Sequence, residues 1–221
     1  MQKYFTILKK VMLFQNIKQE DMPSLLRCLH ANVQHYSKAA FLLVAGDAVT
    51  NVGIVLKGQA HVLREDINGN QLIVTELQPG DLFAETFACV QTEYCPVTVA
   101  AMTDCTVLWL DYRRVIMPCT NLCSHHAELV GNMLRQLAMK NLKLNSRLEV
   151  LSKRSIRERL LVYLEMQAEK MGSREFSIPF NRNELADYLC IDRSAMSREL
   201  SNLRREGVLH FEKNRFTLFT L

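Results

Sequence analysis

Hydrophobic and polar positions follow two different rhythms along the chain. Between residues 33 and 110, short apolar runs are separated by glycine and polar turns, with the roughly ten-residue spacing of β sandwiches and jelly rolls. Asn68-Gly69-Asn70 is a strong hairpin signal between two of these runs. The predicted strands are Phe41–Ala45, Val52–Leu56, Ala60–Arg64, Leu72–Leu77, Val97–Ala101 and Thr106–Leu110.

Helical spacing replaces the β pattern on both sides of these strands. A short helix is predicted over Lys18–Leu29, and a longer helical region extends from about Ser124 to Met171. Residues 176–180 then lead into a different pattern near the C-terminus.

That pattern, from Asn181 to Gly207, is typical of two helices joined by a short turn. Asn181 and Asp192 stand where each helix needs an N-cap, and Glu184 completes a capping box in the first helix. Gly207 stands where a left-handed residue commonly ends a helix. The buried positions of a helix-turn-helix are occupied by Leu185, Ala186, Leu189, Ile191, Met196, Leu200 and Leu203.

One residue departs from this motif. Cys190 stands at the turn, where glycine is commonest because the backbone tends to positive φ. A residue with a side chain could cost about 1–2 kcal/mol there.

The second helix keeps one face without any apolar side chain. Arginine and small hydroxyl residues are the types that reach base edges and phosphates in the major groove of DNA. The residues predicted to contact DNA are Arg193, Ser194, Ser197, Arg198 and Ser201. Val208–Phe211 and Arg215–Phe219 then predict a β hairpin, which would make the motif a winged helix-turn-helix. The alternative is a helical hairpin with an ordinary solvated face.

A heptad pattern marks the first part of the long helical region. Its members alternate four and three residues apart, and such a narrow stripe is what two identical helices bury against each other. Asn141 is the single polar member, and a paired Asn would fix the register of a parallel dimer. The predicted seam is Val130, Leu134, Leu137, Asn141, Leu144, Leu148 and Leu151. The alternative is that the stripe packs on the β domain of its own chain.

Together these patterns predict an α+β fold in three parts. A β-roll (jelly-roll) domain covers residues 1–128, a dimerisation helix covers 129–152, and a winged helix-turn-helix DNA-binding domain covers 153–221. The 221 residues, 48% of them hydrophobic and 23% charged, have the composition of a globular protein.

Charge and cysteine content indicate the kind of partner and the cellular compartment. Between Arg193 and Arg215 six Lys or Arg stand against three Glu, which favours a nucleic-acid partner more than the net charge of +4 does. The seven cysteines are odd in number and scattered, as in reduced cytoplasmic proteins. Because no apolar stretch approaches about 18 residues and no signal-peptide core is present, a cytoplasmic protein without a membrane span is predicted.

The order of these parts resembles a known family, and three motifs support the resemblance. They are Gly46-Asp47, Lys57-Gly58-Gln59-Ala60 and Pro79-Gly80-Asp81-Leu82-Phe83-Ala84-Glu85. Over essentially the whole chain, the sequence resembles the cyclic-AMP receptor protein and fumarate–nitrate reductase regulator (Crp-Fnr) superfamily of bacterial transcription factors. The resemblance implies a homodimer with a cyclic-nucleotide-binding-like sensor domain, which repositions winged helices on a palindromic promoter site. It also implies an effector pocket at Gly80, Asp81, Leu82, Phe83, Ala84, Glu85 and Cys95.

The nucleotide-binding residues of that superfamily are only partly present. Its cyclic-nucleotide members hold the phosphate with a Gly-Glu pair and an Arg-Ser pair, and the matching positions here are Ala84-Glu85 and Cys95-Pro96. Glu85 could hold a ribose hydroxyl, but the arginine is missing and proline has no amide N–H to donate. The Thr-Ser pair of the dimer helix is replaced by Lys140-Asn141-Leu142-Lys143. The sequence therefore argues against cyclic AMP or cyclic GMP, and a cyclic-nucleotide-dependent regulator is the alternative.

No cofactor is identified by the sequence. The iron–sulfur cluster of the oxygen-sensing branch needs three clustered N-terminal cysteines, and only Cys28 stands there. A haem stays compatible with the chain because a lone histidine can be an axial ligand. His30, His35 and His61 lie in the β domain, although such histidines are more often surface or hydrogen-bonded residues.

A second group of residues has metal-binding chemistry. Cys119, Cys123, His125 and His126 have side chains that suit zinc or redox use. However, His125 and His126 are adjacent and would point apart on a helix, so ordinary thiols and histidines are the favoured interpretation.

An alternative from another class is a cupin-like metalloenzyme. Such enzymes place a His-x-His pair on one strand so that both rings face the metal, and the chain has no such pair. Nucleophile, zinc-protease and phosphate-loop motifs are also missing from the sequence. We predict a regulator rather than an enzyme, with double-stranded DNA, a second copy of itself, an unknown effector and RNA polymerase as partners. Activation and repression both stay open.

Overall fold

A computed structural model describes residues 2–66, 69, 71–117 and 124–219. The chain divides into two units, residues 1–139 and 140–221, each with its own hydrophobic core. The helices are α1 (Phe5–Leu8), α2 (Met22–Cys28), α3 (Glu85–Val90), α4 (Tyr112–Ile116), α5 (Ser124–Leu151), α6 (Ile156–Met171), α7 (Arg182–Leu189) and α8 (Arg193–Arg205), with 3₁₀ turns at Gln2–Tyr4 and Met12–Phe14. The strands are β1 (Asn32–Tyr36), β2 (Phe41–Leu43), β3 (Asn51–Lys57), β4 (Ala60–Glu65), β5 (Gln71–Leu77), β6 (Leu82–Phe83), β7 (Thr98–Ala101), β8 (Cys105–Asp111), β9 (Glu175–Ser177), β10 (Leu209–Glu212) and β11 (Arg215–Leu218).

Two antiparallel sheets form the first unit, in the orders β1-β8-β3-β6 and β2-β7-β4-β5. The central strands β3 and β8 are nearly continuous apolar runs, and they pair Val52 with Leu110 and Ile54 with Leu108. All four of these side chains are fully buried. The predicted β roll is therefore confirmed, with its core between strands that bury both faces.

The six predicted strands are all present, with ends shifted by one or two residues. Sequence reasoning missed β1 because only Val33 and Tyr36 of its five residues are partly buried, and it missed β6 because that strand has two residues. The predicted hairpin joins β4 to β5, although Asn68 and Asn70 lie outside the described residues.

Two helix predictions need correction in their bounds. The helix predicted over Lys18–Leu29 begins only at Met22, and Pro23 occupies its first turn, where a missing N–H costs nothing. The helical region from Ser124 to Met171 consists of two helices, separated at residues 152–155. Ser155 causes the restart, since its hydroxyl accepts from the Glu158 amide while the Glu158 carboxylate accepts from the Ser155 amide.

The second unit packs α6, α7 and α8 against the sheet β10-β11-β9. The predicted terminal hairpin is confirmed as β10 and β11, and β9 adds a third strand through the pair Phe176 and Phe216. Both phenylalanines are buried in the core of this unit. A helix-turn-helix followed by this hairpin is a winged helix-turn-helix, as predicted.

The N-terminal part of α5 is anchored within the first unit. The buried Asn132 amide donates to the carbonyls of Leu13 (3.2 Å) and Gln15 (2.8 Å), while Leu129 and Met133 enter the apolar core. Among the residues that the structure describes, no helix combines the length and apolar character that a membrane crossing requires.

Candidate nucleic-acid interface

The first helix of the motif, α7, is fixed by a complete capping box. The Asn181 side chain accepts hydrogen bonds from the amides of Asn183 (2.9 Å) and Glu184 (3.1 Å). The Glu184 carboxylate accepts in return from the Asn181 amide at 2.7 Å. These bonds satisfy amides that have no partner inside the helix, and they confirm the predicted start of α7.

The second helix, α8, begins at the predicted cap, Asp192. Its carboxylate accepts from the Ser194 hydroxyl and from the Ala195 amide, the latter at 2.7 Å. The Ser194 bond first, and the amide bond second, lower the pKa of Asp192. The carboxylate therefore stays ionised at neutral pH, and the Ser194 hydroxyl proton is directed toward it.

The two faces of α8 are separated as the sequence predicts. Met196, Leu200 and Leu203 are fully buried, which holds the helix to the core of the unit. The opposite face is exposed and places together the five predicted DNA-contact residues, Arg193, Ser194, Ser197, Arg198 and Ser201.

The turn between the helices has the strained backbone that the sequence predicts. Cys190 adopts φ +52° and ψ +51°, the left-handed conformation that usually favours glycine. The Arg159 guanidinium of α6 supports this turn by donating to the carbonyls of Leu189 (3.2 Å) and Cys190 (3.3 Å). Arg159 also donates to the Lys153 carbonyl at 2.9 Å, so the same side chain ties the α5–α6 connection to the turn.

A second arginine of α6 holds the recognition helix. Arg157 contacts the carboxylates of Glu199 at 3.4 Å and Glu206 at 2.6 Å. The bond to Arg157 lowers the pKa of Glu206, and the same bond raises the pKa of Arg157. Sequence reasoning missed Arg157 and Arg159 as positioning residues, because their partners in the helix-turn-helix stand 30 or more residues away and no local pattern marks these pairs.

Two more arginines lie against the aromatic residues of the wing. The Arg182 guanidinium lies 4.7 Å from the Phe211 ring and 5.2 Å from the Phe216 ring, and Arg204 lies 5.2 Å from Phe211. Burial lowers the pKa of Arg182. Lys213 is exposed at the tip of the hairpin, so a cation stands where the wing projects.

The predicted dimer seam on α5 is only partly covered. Leu134, Leu144 and Leu148 are 62%, 62% and 63% exposed, respectively. Asn141 is also exposed, and its side-chain oxygen accepts from Asn145 at 2.8 Å. The remaining members, Val130, Leu137 and Leu151, are half-buried, and Leu137 packs on the core of the first unit. An aligned row of exposed leucines is unusual on a protein surface, where single exposed apolar residues are common.

The residues of the predicted effector pocket lie mostly inside the first unit. Leu82, Phe83, Ala84, Glu85 and Cys95 are buried, Gly80 is partly buried and Asp81 is exposed. The Cys95 thiol donates to the Val97 carbonyl, and burial raises the pKa of that thiol. Ala84 has φ +64°, the left-handed conformation that usually favours glycine.

Four of the five candidate haem or metal histidines contact protein groups, and the fifth, His30, lies on the wall of a cavity in the first unit. His35 contacts the Thr106 hydroxyl at 3.0 Å, and His61 lies 3.7 Å from the Glu76 carboxylate. His125 pairs with Asp21 at 3.5 Å, and His126 contacts the Arg114 carbonyl at 2.9 Å.

The cysteines of the possible metal group cannot be placed in the same way. Cys119 and Cys123 lie outside the described residues. Over the ranges that are described, no three His, Cys, Asp or Glu residues are arranged to hold a metal ion.

Comparisons with known proteins agree with this geometry. Residues 33–117 match the cyclic nucleotide-binding domain family, and residues 158–220 match the Crp-like helix-turn-helix domain family. The chain is 23% identical over 197 residues to the cAMP-activated global transcriptional regulator Vfr of Pseudomonas aeruginosa, covering 86% of this chain and 90% of Vfr. It is 27% identical over 195 residues to the transcriptional activator protein FnrL of Cereibacter sphaeroides, covering 84% of this chain and 75% of FnrL. The Thermus thermophilus catabolite activator protein shares the fold, with a TM-score of 0.56 and 22% identity over 94% of this chain and 93% of that one.

Proposed function

Because the chain belongs to the Crp-Fnr superfamily of DNA-binding transcription regulators, we propose that it acts as a homodimer on a palindromic promoter site. The proposed controlling signal is a redox change, or a small molecule other than cyclic AMP. If the protein activates transcription, it does so through contact with RNA polymerase. The observation that carries the proposal is the exposed arginine and serine face of α8, whose opposite face is buried in the core of the helix-turn-helix, where Ile191 alone of the predicted inward residues is half-buried.

Arg193 and Arg198 are the proposed readers of the DNA sequence. An arginine can donate two hydrogen bonds to the O6 and N7 of guanine, which distinguishes that base from the other three. Ser194 differs, since its hydroxyl proton is directed at Asp192 and its lone pairs are left to accept from a cytosine or adenine amine. Related members carry Glu at that position, so the preferred half-site should differ from theirs at one base pair.

The test compares Arg198→Ala with Lys170→Ala, which removes an exposed cation from the end of α6. Arg198→Ala should weaken binding to the preferred site by about 1–3 kcal/mol and binding to random DNA much less. Fluorescence anisotropy with both duplexes at several salt concentrations measures the two losses. Equal losses on both duplexes would make Arg198 a phosphate contact, and loss of binding with Lys170→Ala would make the effect one of net charge.

The dimer is proposed to form along the exposed row of α5. Two copies would cover Leu134, Leu144 and Leu148, and would place Asn141 beside its own copy, where two amides can exchange hydrogen bonds. Leu144→Glu should then produce monomers, because it places two like charges in contact. Ser146→Glu is the matched control, since it adds the same charge at an exposed position outside the seam.

Analytical ultracentrifugation at micromolar concentration measures both variants beside the parent protein. The expected result is a monomer only for Leu144→Glu, with loss of site-specific DNA binding. A dimeric Leu144→Glu that binds DNA normally would place the interface elsewhere.

Cyclic AMP and cyclic GMP are excluded by the proposal on electrostatic grounds. A phosphate needs donors and positive charge, but the matching pair is Cys95, whose thiol is buried, and Pro96, which has no N–H. Titration calorimetry up to millimolar nucleotide should show no saturable heat. Micromolar affinity for either nucleotide would refute this part of the proposal.

A further inference from the structure

The first unit contains a cavity of about 280 Å³ that lies apart from the Gly80–Glu85 segment. Its walls include Trp109 and Tyr36 from neighbouring strands, Leu42 from the opposite sheet, and the amide side chains of Asn32, Gln34 and Asn51. Its volume is near the lower end of the range for ligand sites, about 300–1,000 Å³. That size suits a small ring compound.

The cavity wall contains neither lysine, arginine, aspartate nor glutamate, and His30 is the one wall residue that can carry a positive charge. A cationic ligand would therefore enter without a counter-charge, and an anionic ligand would have at most the exposed imidazole of His30. Apolar and aromatic residues provide one part of the wall, and three amides provide hydrogen-bonding groups. This combination suits an uncharged compound with apolar faces and polar edges.

Hydrogen bonds within the wall fix the two aromatic side chains, and they leave side-chain amide groups available to bind a ligand. The Trp109 indole donates to the Tyr36 hydroxyl at 2.9 Å, and that hydroxyl donates to the Gln34 side-chain oxygen. Because the Gln34 side-chain oxygen accepts from Tyr36, the Gln34 amide nitrogen is available to donate to a ligand. Within the described ranges, the side chains of Asn32 and Asn51 make no hydrogen bond to the protein. A planar heterocycle edge is what such amides can pair with, because each offers a donor and an acceptor side by side.

From these observations we propose that the cavity beside Trp109 binds an uncharged nucleobase or nucleoside, and that this compound is the effector of the regulator. The effector role rests on the proposed function. A compound bound in the cavity can affect the rest of the unit by moving Trp109 against Phe83. The ring centroids of these two residues lie 5.2 Å apart in an edge-to-face contact. Phe83 directly precedes Ala84 and helix α3, so the cavity is linked to the segment that other superfamily members use for their ligand.

Trp109 is the only tryptophan in the chain, which makes it a direct probe of the cavity. Protein labelled with 5-fluorotryptophan should give one fluorine resonance. Its chemical shift is followed while the protein is titrated with adenosine, guanosine, thymidine or uridine. Adenosine monophosphate tests the charge requirement, and glucose tests whether hydroxyl groups alone suffice. Asn51→Ala removes one amide from the wall, and Gln19→Ala removes an exposed amide elsewhere in the same unit.

The expected result is a saturable shift with at least one nucleoside, about tenfold weaker for its monophosphate and for Asn51→Ala, and unchanged for Gln19→Ala. The proposal is overturned if no nucleoside saturates at millimolar concentration, if glucose acts equally well, or if the monophosphate binds more tightly. DNA affinity is measured on the same samples. Site-specific DNA binding without any nucleoside effect would remove this inference and leave the proposed function intact, whereas nucleoside binding without DNA binding would contradict the proposed function.

Discussion

Arg159 is expected to hold the helix-turn-helix in place through three carbonyl groups. Its Nε donates to Lys153, and its Nη1 is shared between Leu189 and Cys190. Arg159→Met keeps the apolar stem of the side chain and removes all three bonds. Hydrogen bonds to charged groups contribute about 1.5–3 kcal/mol each.

The expected loss is smaller than three such bonds. Two of the bonds share one nitrogen and Arg159 is half-buried, so water partly replaces them. We expect the second unit to lose about 2–3 kcal/mol of unfolding free energy. Arg154→Met is the control, because it removes an exposed cation from the same connection.

The single tryptophan separates the two units in this experiment. Trp109 fluorescence reports on the first unit, while the circular dichroism signal of α6, α7 and α8 reports on the second unit. In urea, Arg159→Met should shift the dichroism transition and leave the Trp109 transition in place. A loss of unfolding free energy below about 0.5 kcal/mol is within the scatter of ordinary surface substitutions, and it would refute the anchoring role of Arg159. An equal shift of both transitions would mean that the effect of Arg159 is not local to the second unit.

Three further substitutions test local features, each by urea unfolding of the full chain. Cys190→Gly should stabilise the protein by less than about 1 kcal/mol, since relief of left-handed strain, about 1–2 kcal/mol, exceeds the added chain entropy of glycine; destabilisation would contradict the strain. Asn181→Ala should cost about 1 kcal/mol through its lost cap, and no loss would mean that water caps α7 equally well. Gly58→Ala should cost about 1–3 kcal/mol more than Gly46→Ala. Both glycines have positive φ, but only at Gly58 would an added Cβ lie 2.4 Å from the Asp104 carbonyl oxygen. Equal costs would show that the backbone around Asp104 moves to accommodate the methyl group.

Features that depend on neighbouring residues could be predicted from the sequence. The caps at Asn181 and Asp192, the left-handed turn at Cys190 and the buried stripe of α8 each involve residues within one or two helical turns. The same is true of the central strands β3 and β8, whose apolar runs are distinct. These local signals were sufficient for the winged helix-turn-helix and for the β roll.

Features that depend on distant residues could not be predicted in this way. Strand β1 has a polar sequence and becomes a strand because it pairs with β8, 70 residues later. Arg159 reaches carbonyls 30 residues away, and the cavity at Trp109 is formed by segments from both sheets. Only the folded chain brings these groups together, so periodicity carries no signal for them.

Selection of bound sequences from a random DNA pool tests the central claim most directly. The full chain is used, once alone and once with a small-molecule extract of cells, so that an effector requirement does not hide binding. The account predicts an enriched inverted repeat whose half-sites are centred one or two helical turns apart, at about 10–10.5 base pairs per turn. Enrichment of a single asymmetric site, or of no sequence under either condition, would contradict a homodimer that reads DNA through α8.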